Sequence, residues 1–478
     1  MAIQWSGLGP ELLLRLDRAA GEPLRSQLEA GLRDAIRTGR LAAGERLPSS
    51  RGLASELGVS RGLVQECYSQ LLAEGYLASQ VGSATRVAEG AYPPAAARPA
   101  PGPGAAQQPA AAPRLIADFR AGVPDLASFP RGDWVWATRE ACRSVANADL
   151  DYGDPRGRDR LRRVVAGYLR RVRAAATGTE QIVVCTGFAQ GLNLALRVLA
   201  ASGVQRVAFE DPGYGAAAAS ETVRAVTAIG PQVVHVPVDE LGLDVRALEA
   251  SGAGAVIVTP AHQSPTGVVL AAARRHELVR WAHRNDAFIL EDDFDSEFRY
   301  GSEPVGVLQG LAPDRVFTIG TVSKTLAPAV RLGWLIVPPP LVGAVAEQKQ
   351  ISDRGSSGLD QLAVAALLES GRYDRHLRRM RSVYARRRGG LIDALARHAP
   401  GVRLTGLAAG FHAVAHLPGP ASEEAIVAAA RQRQVGLYGM NLFRAAGGAG
   451  PPQLVMGFGQ VSERAAEAGI AAVADLLR

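Results

Sequence analysis

"GTVSKTLAPAVRLGW", residues 320–334, holds one of only two lysines in a 478-residue chain that carries 53 lysines and arginines. Almost everywhere else a cation is needed, the sequence uses arginine. The two differ in one chemical respect: a guanidinium stays protonated, whereas a desolvated amine loses its proton and attacks a carbonyl carbon. Lys324 is therefore a candidate for Schiff-base chemistry, while Lys349 in "AEQKQ" reads as an ordinary solvated helix residue. Rarity alone also allows chance, so the surroundings have to decide.

Working outward, "VFTIGTVSK" and "LGWLIVPP" on either side of Lys324 belong to a series that includes "IVVCTG", "VAFEDPGY", "VVHVPV", "AVIVTP" and "AFILEDDF". These runs are short, rich in valine and isoleucine, non-alternating, and separated by helical segments. They predict strands buried on both faces of a mostly parallel sheet, with chemistry collected at the strand ends. "CTGFAQGLNLAL" passes from a strand through Gly187 into a helix starting near Ala189, whose free N–H groups suit a phosphate. "EDDF" sets Glu291, Asp292 and Asp293 at a strand end, open to reading as metal ligands or as a solvated turn, with no histidine partner nearby. Lys324 comes 32 residues after Asp292, with Ser323 before it and Arg331 seven residues after. Together these groups suit pyridoxal 5'-phosphate (PLP): its aldehyde needs an amine, its ring nitrogen a carboxylate, its phosphate N–H donors, hydroxyls and an arginine. Tyr214 in "EDPGYG" offers an aromatic face for the ring.

The chain is long enough for two or three domains, and its 47% hydrophobic and 21% charged residues suit a soluble globular protein. No uninterrupted apolar run approaches the length of a membrane span, and the first residues lack a signal-peptide pattern. Cys67, Cys142 and Cys185 are far apart and odd in number, which argues against disulfides and a cysteine zinc site. The expected location is the bacterial cytoplasm, on the nucleoid when DNA is bound. Residues 91–113, "AYPPAAARPAPGPGAAQQPAAAP", have nothing to bury and read as a tether reaching on the order of 70 Å if extended. The expected division is a head over 11–88, a linker over 89–114 and a body over 115–478.

In the head, Leu24, Leu28, Leu32 and Ile36 form one helical face ending near Gly39. "SRGLASELGVSRGLVQECYSQLLAEGYL" reads as two helices broken at Gly58, the second capped by Ser60 and burying Leu63, Val64, Cys67, Leu71 and Leu72. "YLASQVGSATRVA", with Gly82 at its tip, reads as a two-stranded wing. This is a winged helix-turn-helix pattern, with Arg51, Arg61 and Arg86 placed for DNA. The net charge of +7 permits polyanion contact without demonstrating it, and a three-helix dimerisation module fits the same pattern.

The run "PLRSQLEAGLRDAIRTGRLAAGERLPSSRGLASELGVSRGLVQECYSQLLAEGYL" resembles the DNA-binding domain of GntR-type bacterial regulators nearly end to end. Leu63 stands where that family often has threonine, and Ala84 where glycine is usual. "EDPGY", "TPAHQSPTG", "LEDDFDSEFRY" and "GTVSKTLAPAVRLGW" resemble fold-type I aminotransferases, and the whole chain from about residue 11 resembles a MocR-type regulator. The resemblance implies an α/β body, with a mostly parallel sheet between helices and a small C-terminal α/β subdomain. It implies an internal aldimine at Lys324 and a ring-nitrogen partner in Asp292. Phosphate contacts fall to Ser323, Arg331, Ala189 and Gln190, with Tyr214 stacked on the ring and Ser264 where enzymes carry asparagine. Phe294 replaces the family's usual tyrosine, which removes one donor to the ring oxygen, worth roughly 0.5 to 1.5 kcal/mol.

The expected function is a homodimeric PLP-dependent regulator of transcription, binding double-stranded DNA with paired or repeated half-sites and sensing PLP, an amine or an amino acid through aldimine chemistry. Arg444 in "MNLFRAAG" is the best candidate for an effector carboxylate. The alternative is a working aminotransferase with an appended DNA-binding module. A residual half-reaction fits either reading.

Overall fold

The structure, a computed structural model, describes residues 14, 16–79, 84–89, 115–214, 220–300, 305–420, 422–445 and 450–478. The chain divides into two compact units, Met1–Ala112 and Pro113–Arg478.

In the first unit, α1 (Leu24–Arg37), α2 (Ser50–Leu57) and α3 (Arg61–Ala73) enclose a small apolar core. Leu28, Leu32, Ala35 and Ile36 bury one face of α1, as their spacing requires. Ser49 caps α2 by accepting from the Gly52 N–H at 3.0 Å, and Ser60 caps α3 by accepting from the Leu63 N–H at 3.2 Å. Each cap is worth about 1 kcal/mol over alanine. Gly58 ends α2 at φ +63°, a left-handed position that suits glycine. On α3 the buried residues are Val64, Cys67, Tyr68 and Leu71; Leu63 and Leu72 pack only partly against the core. Tyr68 was not expected there, and its buried hydroxyl is satisfied by the Pro48 carbonyl at 3.0 Å. Arg33 clamps Glu74 through two 2.7 Å bonds, tying α1 to the end of α3. β1 (Leu77–Ala78) and β2 (Arg86–Val87) pair antiparallel as the wing. Gly82, expected at the wing tip, lies outside the described residues.

In the second unit, the seven apolar runs all become strands. They are β3 (Ile182–Cys185), β4 (Arg206–Asp211), β5 (Gln232–Asp239), β7 (Ala255–Val258), β8 (Phe288–Asp293), β9 (Val316–Thr321) and β10 (Gly333–Ile336), joined at one edge by the short β6 (Gly242–Leu243). The order is β3-β10-β9-β8-β7-β4-β5-β6, with β4, β5, β7, β8 and β9 parallel and β10 reversed between β3 and β9. Apolar clusters cover both faces. β5 departs from the expectation of full burial, with half of its eight residues exposed, because only the two-residue β6 lies beyond it. A three-stranded antiparallel sheet of β11 (Arg403–Thr405), β12 (His412–His416) and β13 (Gln453–Gly457) forms a C-terminal subdomain with the long helix Arg372–His398 and the helix Glu463–Val473. Among the described residues no helix is long and apolar enough to cross a membrane, and all three cysteines are free.

The parallel register sets Asp292 beside Ile319 and Asp293 beside Gly320. Asp292 and the chain leaving β9 toward Lys324 therefore emerge at the same end of the sheet.

Candidate functional site

Three carboxylates end β8, and the fold gives each a different environment. Glu291 accepts from the Leu308 N–H and the Thr318 hydroxyl, both at 2.9 Å; burial and then nearby Asp293 push it up to about 7. Asp293 accepts two bonds from buried Arg173, at 2.6 and 2.9 Å. Asp292 lines a cavity of about 420 Å³, and its Oδ1 is buried with no hydrogen-bond partner. Burial first, and then Asp293, hold Asp292 well above the usual carboxylate range, opposed by Lys324. This overturns both earlier readings of the run: all three groups are buried rather than solvated, and two of them are committed to protein donors rather than to a shared metal. A histidine does stand close by, since His262 Nδ1 lies 2.9 Å from Oδ2 of Asp295, just beyond the run.

Lys324 borders the same cavity. Its Nζ donates to the Gly122 carbonyl at 2.6 Å, and burial lowers its pKa against the opposing pull of Asp292 and Asp295. Helix α4 (Phe188–Ala201) opens on Gly187, whose φ of +112° admits the turn. The N–H groups of Phe188, Ala189 and Gln190 have no carbonyl within the helix to bind. A Cβ on Gly187 would stand 3.6 and 3.7 Å from the Arg331 guanidinium and 3.7 Å from the Thr321 hydroxyl, so a cation and a hydroxyl meet at this helix N-terminus. Ser323 Oγ accepts from Thr321 at 2.9 Å, and both residues border the cavity.

Ala189, Tyr214, Ser264 and Phe294 also line the cavity. Tyr214 packs edge-on against Phe188, with centroids 5.6 Å apart. Its hydroxyl is close enough to Asp292 to influence that group's protonation, but it lacks hydrogen-bond geometry and is buried without a partner. Gln190 does not line the cavity. Its side chain is turned away, accepting from the Thr186 N–H at 2.9 Å and donating to Asp353 at 2.7 Å. Arg444 is also outside the lining; it donates to Asn441 and Gln453, each at 3.2 Å. The cavity instead takes in Arg120, together with Gly122, Tyr438 and Phe443, none of which the sequence reading found. Gly122, at φ +75° in "AGVPD", left a weak signal as a turn.

Lys349 corrects the expectation of a solvated residue. It is fully buried on the helix α5 (Val342–Asp353) and donates to both oxygens of Asp353, at 2.7 and 2.6 Å, and to Ser356 at 3.0 Å.

In the first unit, Arg51 and Arg61 are exposed at the N-termini of α2 and α3. Arg86 is exposed on the wing and donates to the Gly44 carbonyl at 2.9 Å.

The fold and cavity define a class: residues 118–447 match the family "Aminotransferase class I and II", and residues 24–87 match "Bacterial regulatory proteins, gntR family". The chain is 36% identical over 439 residues to the HTH-type pyridoxine biosynthesis transcriptional regulator PdxR of Corynebacterium glutamicum, covering 92% of each chain. It is 36% identical over 403 residues to the probable rhizopine catabolism regulatory protein MocR of Rhizobium meliloti, covering 81% of this chain and 80% of that one. The body superposes on a Pyrococcus horikoshii kynurenine aminotransferase with a TM-score of 0.68 and 25% identity, over 76% of this chain and 91% of the enzyme. The chain belongs to the MocR-type transcriptional regulators, which join a GntR-type DNA-binding head to an aminotransferase-like body.

Proposed function

We propose that this regulator carries PLP at Lys324 and that the liganded state of the body sets how a pair of heads engages an operator. One observation carries the reading: a partly buried lysine amine and a buried, unpartnered carboxylate oxygen line a single cavity that also receives a guanidinium at a helix N-terminus. When bound, PLP supplies an aldehyde that condenses with amines and a ring that withdraws electrons. The lowered pKa of Lys324 enlarges the neutral, nucleophilic fraction of its amine, and the Gly122 carbonyl orients it. Asp292 would hold a proton on the ring nitrogen through its free Oδ1. The first-turn amides of α4, with Ser323 and Arg331, would hold the phosphate, and Tyr214 and Ser264 would flank the ring.

Phe294 offers carbon where a hydroxyl donor would strengthen the hold on the ring oxygen. That favours ligand sensing over rapid turnover, because a contact missing in the transition state lowers rate more than binding. The effector is an amine or amino acid, with Arg120 better placed than Arg444 to meet a carboxylate. Homodimer formation is supported by large apolar side chains left exposed on the body. Tyr152 and Ile351 are 69% and 72% exposed, and Tyr152 lies against Arg354, three residues beyond Ile351. Two heads then meet paired or repeated half-sites, with Arg51, Ser60, Arg61 and Arg86 toward the duplex.

The test has two parts on one preparation. Borohydride reduction of the PLP-loaded protein should bleach its visible band and fix the label to the peptide containing Lys324; label on Lys349 instead would refute the site. Gel shifts on its own promoter region should show Arg61→Ala losing either roughly 0.9 in salt slope, for a phosphate contact, or about 1 to 3 kcal/mol at one base pair. Unchanged affinity and sequence preference would remove Arg61 from the interface.

A further inference from the structure

Outside the cavity, a second cluster of chemical groups has no part in the function proposed above. His262 follows β7, Asp295 lies two residues beyond β8, and His412 opens β12. All three are buried, and each offers one ligand atom within 4.8 Å of the other two. The imidazoles lie side by side, with centroids 4.5 Å apart and planes tilted by 43°.

The hydrogen bonds around the cluster decide what it lacks. His262 Nε2 lies 3.3 Å from the Gly406 carbonyl and its Nδ1 lies 2.9 Å from Asp295 Oδ2, and both neighbours are acceptors. The Nε2 of His412 is buried with no partner. His262 Nδ1, Asp295 Oδ2 and His412 Nε2 thus converge, and no donor reaches His412 Nε2. A single proton can join His262 to Asp295 but leaves His412 Nε2 unsatisfied. A metal ion satisfies all three.

We propose that His262 Nδ1, Asp295 and His412 Nε2 form a binding site for a divalent first-row transition metal of the zinc class. Two imidazole nitrogens and one carboxylate oxygen are a borderline donor set that suits zinc, whereas magnesium and calcium favour more numerous oxygen ligands. With a metal on Nδ1 of His262, its Nε2–H would face the Gly406 carbonyl, the position that orients metal-bound histidines by holding the second ring N–H. Gly410, at φ +66°, presses on the site: a Cβ there would stand 2.2 Å from Asp295 Oδ2 and 2.4 Å from His262 Nδ1, so no side chain fits. Two ligands come from the large sheet and one from the three-stranded subdomain, so the ion would staple these two parts of the body together.

The experiment uses the untagged full-length chain, expressed separately in zinc-limited, zinc-supplemented and cobalt-supplemented medium because the ligands are too buried for simple soaking. Elemental analysis should find about one zinc or cobalt per chain from supplemented cells, and the cobalt form should show a visible ligand-field band. Zinc-supplied protein should unfold at a higher temperature than zinc-limited protein, a comparison that needs no variant. His412→Gln should lower metal retention at least tenfold, taking the tenfold or greater effect of even an outer-shell partner as a floor. Less than about a tenth of an equivalent in the supplemented wild type would overturn the proposal and leave a proton shared by His262 and Asp295. Equal metal content in wild type and His412→Gln, with both folded, would also overturn it, by assigning the metal to surface groups.

Discussion

Lys349→Met perturbs the floor of the turn proposed to hold the phosphate, without touching the cavity. The lysine is fully buried, and its amine makes three hydrogen bonds, two of them to Asp353. Asp353 in turn holds Gln190 at 2.7 Å, and Gln190 accepts from the Thr186 N–H at 2.9 Å, just ahead of α4. Methionine keeps most of the stem's volume, so the change removes a charge and leaves little cavity. Removing one partner of a buried ion pair costs roughly 3 to 5 kcal/mol. The Asp353 side chain is 28% exposed and keeps the Gln190 and Gly355 donors, which places the loss near the low end, about 3 kcal/mol. With an unfolding entropy of about 2.1 cal/mol/K per residue over roughly 360 residues, Tm should fall by about 4 °C. Asp353 is also left unneutralised beneath the N-terminus of α4, so affinity for PLP should drop roughly threefold to tenfold, the effect of a unit charge at a helix end. Calorimetry on the full-length protein and a PLP titration read the two effects. A Tm within about 1 °C of wild type, with PLP affinity unchanged, would refute the link between this ion pair and the turn.

Arg120→Gln should weaken β-alanine roughly tenfold in a spectral titration of the PLP-loaded protein while sparing propylamine, because only the first carries a carboxylate for the guanidinium. Phe294→Tyr should tighten PLP by about 0.5 to 1.5 kcal/mol and shift its absorption, with DNA binding unchanged in gel shifts. Glu291, held up to about 7 from its ordinary 4.5, opposes folding increasingly as pH rises from 4.5 toward 7. Glu291→Gln should therefore raise Tm more at about pH 8 than at about pH 5; an equal gain at both would show that its titration does not matter.

What the sequence made legible was local or periodic. Seven apolar runs announced seven strands, and the polar residues at their ends were the ones the parallel register brings together: Asp292, Ser323, Lys324 and, across the β3–α4 turn, Arg331. What it hid depended on distance along the chain or on geometry without pattern. Gly122 reaches Lys324 across some two hundred residues, and Arg120 reaches the same cavity, with no motif to join them. Lys349 could have been suspected, since it lies four residues after buried Val345 on the same helix face. The eye is drawn to its charge instead. His262, Asp295 and His412 come from two sheets and share no spacing at all. Arg444 was chosen by residue type near the chain's end, and type alone does not aim a side chain.

The hydrogen bond from Lys324 to Gly122 makes two events compete. If Lys324 is the amine that engages a carbonyl compound, as proposed above, that engagement moves Nζ out of the position in which it donates to Gly122, so the two states would compete. Residues 115–122 are the first described residues of the body, held also by Phe119, which donates to Gly436 and accepts from Gly457. Such exclusion is reciprocal: whatever tightens this segment on Lys324 weakens capture of the carbonyl compound by the same factor, and capture loosens the segment equally. A hydrogen bond from a neutral amine contributes roughly 0.5 to 1.5 kcal/mol, so the exchange spans up to about one power of ten in occupancy.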